Sequence, residues 1–308
     1  MTPGLITRGR AARVRHIMNH ILTLVADRAA TTLSPAIIAR VRAAVGGGEP
    51  VTLSPGEAVD IPVPSRPDAA LVRQAIGTGR IDAITVKTRG RRKGMLIADM
   101  DSTIVAGETL DELADFAGLK GKIAAITQRS MNGEIDFADA LRLRVGMLKG
   151  LNLEALEKTW QRVVLTPGAR ELIATMRAHN ALTALVSGGF TFFTDKVAQL
   201  LGFDVHRSNV LMHDGVALSG EIEEPILDRD AKMATLRELA AMRGLKMGAT
   251  LAVGDGANDL AMLREAGLGI AFHAKPIVAA EAKARVDFSD LRALLFIQGY
   301  RVGEFREG

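Results

Sequence analysis

Three short apolar runs in this chain each close on a small polar signature. They are Gly94-Met95-Leu96-Ile97-Ala98-Asp99-Met100-Asp101-Ser102-Thr103, Ala184-Leu185-Val186-Ser187-Gly188-Gly189 and Leu251-Ala252-Val253-Gly254-Asp255-Gly256-Ala257-Asn258-Asp259. Aliphatic stretches of this length, ended by Gly and Asp, read as buried parallel strands running into tight turns. In an open α/β sheet the ligand site lies outside the carboxyl ends of the strands. The three signatures are therefore expected to meet at one place. Carboxylates, a hydroxyl and glycine amides gathered there suit a hard cation and a phosphate, which points to phosphoryl-transfer chemistry.

The chain has 308 residues, 48% of them hydrophobic, enough for a sizeable core and about two domains. It has no cysteine, which excludes disulfides, thiolate catalysis and zinc–thiolate sites. The formal charge is only +4, and the one basic cluster (Arg89, Arg91, Arg92 and Lys93) reads as a solvated linker. With one Trp and one Tyr, the chain also offers little for stacking bases, so no nucleic-acid partner is expected. No apolar run approaches the ~18 residues needed to cross a bilayer, so no membrane partner is expected. The first seventeen residues carry Arg8, Arg10, Arg13 and Arg15 ahead of a short apolar stretch. That apolar stretch is too short for a secretory signal. An Arg-rich leader without acids is compatible with an organelle transit peptide, but the simpler reading is a disordered extension with Met18 as the functional start, in a cytoplasmic protein.

Residues 18–90 read in the order βαββαβ: a strand at 21–26, a helix at 35–45, extended segments over 50–64, a helix at 69–76 and a strand at 81–86. That is the ferredoxin-like order, expected of a small α+β module joined by a basic, Gly-containing linker over 88–94. From Met95 to the end (domain 91–308) strands alternate with helices, as in a doubly wound parallel sheet. Two departures stand out. Residues 106–165 read as helices at about 110–117, 122–131, 137–148 and 153–161, most simply a cap over the site. Residues 209–222 read as a hairpin turning at Asp214-Gly215.

Asp99 and Asp101 lie two apart on an extended backbone, so both carboxylates face one side. The Asp-x-Asp at 228–230 and the acids at 287–290 follow no comparable buried run and read as caps or solvated surface. Asp255, Asn258 and Asp259 bring further acids to the same point, where they would repel one another unless a cation lay among them. Ser187-Gly188-Gly189 offers amides suited to phosphate oxygens, although an ordinary loop has the same composition. On residue pattern alone, Lys232 is a solvated helix charge, and Met131 and Phe137 are cap core. None of the six histidines has metal-site spacing.

Taken together, the DMDST run at 99–103, the SGG run at 187–189, Lys232 and the GDGAND run at 254–259 resemble the four motifs of the haloacid-dehalogenase superfamily, and within it the phosphoserine phosphatase family. Glu108-Thr109 and the FADALRLRVGMLKG segment at 137–150 resemble that family's cap motifs. The resemblance spans about residues 94–295 and implies a phosphoric monoester hydrolase acting on O-phosphoserine, with Mg²⁺ as cofactor, in serine biosynthesis. It also implies that the N-terminal module is similar to the amino-acid-binding ACT domains, and it is compatible with a homodimer. By the resemblance Asp99 is the nucleophile and Asp101 the general acid and base. Asp99, Asp255 and the backbone carbonyl of Asp101 are the metal ligands. Ser187, Gly188 and Lys232 bind the phosphate, Asn258 also contacts the substrate, Glu108 and Arg144 bind the amino and carboxylate groups, and Asp259, Met131 and Phe137 support the site.

Overall fold

The computed structural model describes residues 18–307; the extension read over residues 1–17 lies outside the described residues. The N-terminal part has strands β1 (His20–Ala26), β2 (Val51–Ser54), β3 (Ala58–Val63) and β4 (Ile81–Lys87), with helices α1 (Pro35–Ala44) and α2 (Ala69–Ile76). Its sheet is antiparallel in the order β2-β3-β1-β4, the ferredoxin-like arrangement. Alternation sorts the strand residues between two faces. Leu22, Leu24, Val59 and Ile61 pack on Val41, Val72 and Ile76 of the helices. Val25, Leu53, Ala58 and Ile84 face the other way, into the same core as Leu291 and Phe296 of the C-terminal part.

That second face also buries polar groups, and each has a partner across the junction. Asp82 accepts hydrogen bonds from the amides of Asp287 (2.8 Å), Phe288 (3.2 Å) and Ser289 (2.8 Å), and from the Ser289 hydroxyl. Arg91 donates to Asp60 at 2.7 and 3.0 Å and to Thr23 at 3.1 Å. Its side chain is only 13% exposed, so the solvated-linker reading fails at this residue. A bidentate guanidinium–carboxylate pair held out of water is a fixed joint between two bodies.

The C-terminal part is built on β5 (Met95–Ala98). A two-stranded stem, β6 (Val105–Ala106) and β7 (Val164–Leu165), follows and encloses four helices: α3 (Thr109–Asp115), α4 (Lys120–Met131), α5 (Phe137–Gly146) and α6 (Glu154–Trp160). After the stem come α7 (Ala169–Ala178), β8 (Leu182–Phe190), α8 (Thr191–Leu201) and β9 (Val205–Asn209). A hairpin of β10 (Leu211–His213) and β11 (Leu218–Ile222) turns at Asp214, whose carboxylate accepts from the amides of Val216 and Ala217. The remainder is α9 (Arg229–Met242), β12 (Thr250–Gly254), α10 (Leu260–Glu265), β13 (Leu268–Phe272), α11 (Pro276–Glu281), β14 (Arg285–Val286) and α12 (Ala293–Ile297).

The main sheet is parallel in the order β14-β13-β12-β5-β8-β9. Its central strands β5 and β12 are buried along their whole length because both faces are covered, whereas the edge strand β9 is polar. Met95, Ile97, Ala184 and Ala252 pack on Leu236, Leu239 and Met262 of α9 and α10. Leu96, Ala98, Leu185 and Val253 pack on the opposite side with Leu172, Phe193 and Phe296. Since β12, β5 and β8 are neighbours, the three polar signatures end side by side. The hairpin is joined to the loop after α5 by backbone hydrogen bonds, Gly150 to Leu218 (2.8 Å) and Leu153 to Val216 (2.9 Å), so the helical insert and the hairpin form one roof.

Candidate active site

Beneath the roof is a small chamber lined by Asp99, Asp101, Ser187, Gly188 and Asn258 from the strand ends, and by Glu108, Leu110, Met131, Phe137, Leu141 and Arg144 from the insert. The backbone turns sharply out of β5. Ser102 has φ +54°, in the left-handed region that few non-glycine residues occupy, and its hydroxyl donates to Glu108 at 2.7 Å. Asp101 accepts the Thr109 amide on Oδ1 at 2.8 Å. Its other oxygen, Oδ2, lies beside Gly189, where an added Cβ would come within 2.8 Å of it.

Lys232, in the first turn of α9, is completely buried. Its ammonium donates to Asp99 at 2.6 Å and to Asp259 at 2.8 Å, so the solvated-charge reading is corrected: two carboxylates supply the compensation that burial demands. Burial works against that charge, but Asp259 and Asp99 outweigh it and raise the lysine pKa above its ordinary value. The second oxygen of Asp259 accepts from the amides of Asp255 (3.2 Å) and Gly256 (3.1 Å). Asp259 is thereby fully engaged as a brace for Lys232 and for the turn after β12.

Carboxylate oxygens of Asp99, Asp255 and Asp259 lie within 4.8 Å of one another. Asp255 Oδ2 is buried with no hydrogen-bond partner, and the nearest cation, Lys275, is 3.9 Å away. An orphaned carboxylate oxygen among other acids is an environment a hard cation fits. With both oxygens of Asp259 already satisfied, Asp99 and Asp255 are the side chains open to such an ion. Burial above all, then the neighbouring acids, raises the pKa values of Asp99 and Asp255. Burial likewise raises that of Asp101, a direction that favours a group able to hold a proton near neutrality.

Two close approaches explain the glycines. A Cβ on Gly188 would meet the Phe137 ring at 2.4 Å, and one on Gly256 would meet Asn258 Oδ1 at 2.5 Å and Met131 Sδ at 2.8 Å. Met131 and Phe137 thus close the chamber against the strand ends, and Phe137 packs on the hydrophobic core as well. Asn258 Oδ1 is itself buried without a partner. The Ser187 hydroxyl accepts the Gly189 amide at 2.9 Å, which leaves its own proton free. Arg144 is 3% exposed; it donates to the Ala140 carbonyl (3.1 Å) and the Thr127 hydroxyl (3.1 Å). Thr127 in turn donates to Asp111 at 2.6 Å. Asp111, Thr127 and Lys275 were not singled out from the sequence. The only signal of Asp111 and Thr127 is helical spacing toward the chamber, which any amphipathic helix shares, and Lys275 precedes α11 with no such pattern.

The arrangement can hold a phosphate between the Asp99 carboxylate, a buried ammonium and glycine amides, beneath a roof carrying one acid and one guanidinium. A family model for haloacid dehalogenase-like hydrolases matches residues 96–264. The chain belongs to that family. Within it, the chain is 42% identical to a phosphoserine phosphatase of Streptococcus thermophilus over 205 residues, 67% of this chain and 95% of the relative. Three other curated phosphoserine phosphatases are matched over only 60%, 64% and 52% of their own length. A solved phospho-aspartyl intermediate analogue of phosphoserine phosphatase, 40% identical, superposes with a TM-score of 0.64 over 67% of this chain and 98% of its own. A haloacid dehalogenase family hydrolase of Salmonella enterica, 29% identical, superposes with a TM-score of 0.80 over 91% of this chain and 98% of its own. The latter likeness extends to the N-terminal sheet, since it covers more than the family region does.

Glu108 carries a pH prediction. Burial, with Asp101 second, raises its pKa to about 7 from an ordinary 4.5. Between those values the folded protein keeps a proton that the unfolded chain has lost, so stability falls as pH rises through that window. Glu108→Gln removes this dependence while keeping an acceptor for Ser102. It should be more stable than the parent by a margin that widens from pH 4.5 to pH 8, by about 1–3 kcal/mol for a half-buried group. Thermal melts of the two proteins across that range check it; a margin independent of pH counts against it.

Proposed function

We propose that the protein hydrolyses O-phospho-L-serine to L-serine and phosphate through a covalent aspartyl-phosphate, in a serine-forming step in the cytoplasm. The observation that carries this reading is the pairing in one chamber of Asp99 and Asp101 with Glu108 and Arg144. An acid and a guanidinium opposite a phosphate site are complementary to the ammonium and carboxylate of an amino acid ester.

In this reading Asp99 attacks phosphorus while Lys232, Ser187, the Gly188 amide and Asn258 hold the non-bridging oxygens. The serine oxygen leaves with the proton of Asp101. With Oδ1 fixed by Thr109, Oδ2 is the atom that carries this proton. Asp101, now ionised, takes a proton from the water that attacks the aspartyl-phosphate, so one carboxyl serves both halves. Asp99, Asp255 and the backbone carbonyl of Asp101 would hold Mg²⁺, which when bound supplies positive charge that offsets repulsion between carboxylate and phosphate. Asp259 holds Lys232 in place, and Met131 and Phe137 keep water out. Residues 18–90 form an ACT-like βαββαβ domain and residues 91–308 the phosphatase domain with its cap at about 106–165, an organisation compatible with a homodimer.

The experiment is phosphate release from a panel of small phosphomonoesters with and without Mg²⁺. Phosphoserine should be turned over best, and chelation should abolish turnover. A clear preference for an ester without an amino acid moiety would overturn the substrate assignment while leaving the phosphatase chemistry in place.

A further inference from the structure

A second cleft, of about 590 Å³, lies between β4 and the catalytic part, beside the starts of β5, β12 and β13, whereas the acids of the candidate active site follow the ends of β5 and β12. Its volume falls within the range of small-molecule sites. In a chain with nearly balanced charge, the lining of this cleft contains no acidic residue and six cations besides Arg91: Arg66, Lys87, Arg89, Lys93, Arg264 and Lys283. Arg91 is consumed by Asp60 and Arg264 by Glu281. The other five have no carboxylate partner among the described residues. Arg66 reaches only the carbonyls of Thr85 and Lys283, and Lys93 only those of Gly90 and Gly248. Carbonyl oxygens orient a cation without cancelling its charge.

An independent feature points to a ligand. The Nδ1 atom of His20, whose residue lines the same cleft and pairs with Lys87 across the sheet, is buried and has no hydrogen-bond partner among the described residues. Gly90 and Gly248 have open space where a Cβ would stand, which leaves that part of the wall open to close approach by oxyanions. Apart from the His20 imidazole the lining has no aromatic ring, so there is no platform for a nucleobase.

We propose that this inter-domain cleft is a binding site for a compact polyphosphate anion, one bearing two or more phosphate groups and no base. The anion bridges Lys87 and Arg89, at the end of β4 and just beyond it, to Lys283 of the catalytic part. It would therefore bind the two parts of the chain as one body. This site is separate from the phosphoserine reading and does not depend on it.

The test uses the full chain with tripolyphosphate, without Mg²⁺, followed by calorimetry and thermal melting. Binding to the parent protein should be saturable, should raise the melting temperature and should weaken with added salt. The double variant Lys87→Glu, Arg89→Glu replaces two exposed cations outside the candidate active site. It should bind at least ten-fold more weakly while hydrolysing phosphomonoesters within about two-fold of the parent. ATP should bind no more tightly than tripolyphosphate. Unchanged binding by the double variant, no saturable binding by the parent, or a strong preference for ATP would each overturn the proposal.

Discussion

Asp99→Asn is expected to fold as the parent does and to lose phosphatase turnover by at least ~10³-fold, about 4 kcal/mol in barrier. The amide keeps the shape of the carboxylate and can still accept from the Lys232 ammonium, which approaches Asp99 at 2.6 Å. It cannot attack phosphorus, so no covalent intermediate forms. Burying a neutral amide in place of a carboxylate also removes repulsion toward Asp255 and Asp259, which limits the cost to stability. The measurements are phosphate release and a thermal melt on the same preparation. Near-normal turnover in a folded Asp99→Asn enzyme would eliminate the aspartyl-phosphate route.

Arg144→Ala separates substrate recognition from chemistry. The guanidinium is buried and held by Ala140 and Thr127, so two of its donors are committed to the protein, and the residue lines the chamber. Its planar fork suits a carboxylate in two-point contact, a geometry lysine lacks. Without it, the carboxylate of phosphoserine would be desolvated and unpaired, and kcat/KM should fall by about 2–4 kcal/mol. Hydrolysis of p-nitrophenyl phosphate, which has neither an amino nor a carboxylate group, should change far less, because contacts remote from phosphorus govern selection of the substrate. Equal losses on both substrates would place Arg144 in phosphate binding or in the fold, and would remove the strongest residue-level support for phosphoserine.

Much of the catalytic part was legible because its signals are local. An apolar run followed by Asp-x-Asp, or by Gly-Asp-Gly, identifies both a buried strand and the turn that ends it. Cap helices were readable from periodicity to within a few residues, as at Lys120–Met131 against an expected start at 122. The doubly wound class followed from alternation alone. The βαββαβ order of the N-terminal part was likewise carried by short-range pattern, and its strand order in the structure is the one that layout implies.

What pattern could not supply is which side of an element meets what. Lys232 sits on a helix whose sequence reads as an ordinary charged surface; only the packing of α9 over the strand ends buries it between Asp99 and Asp259. Met131 and Phe137 have the spacing of any cap core. Their place against Gly256 and Gly188 depends on how the roof closes, since both contacts cross between elements distant in the chain. Arg91 lies in a basic, glycine-flanked stretch that resembles a linker by composition, yet its partners, Thr23 and Asp60, lie on β1 and β3, far from it in sequence. The sequence by itself determined the residue types that reach the strand ends, and so the kind of chemistry available there. The tertiary structure alone decided which carboxylates are satisfied and which are left open, and which cations are buried and which line a cleft. Those outcomes turn on distances of a few ångströms between segments that no local pattern relates.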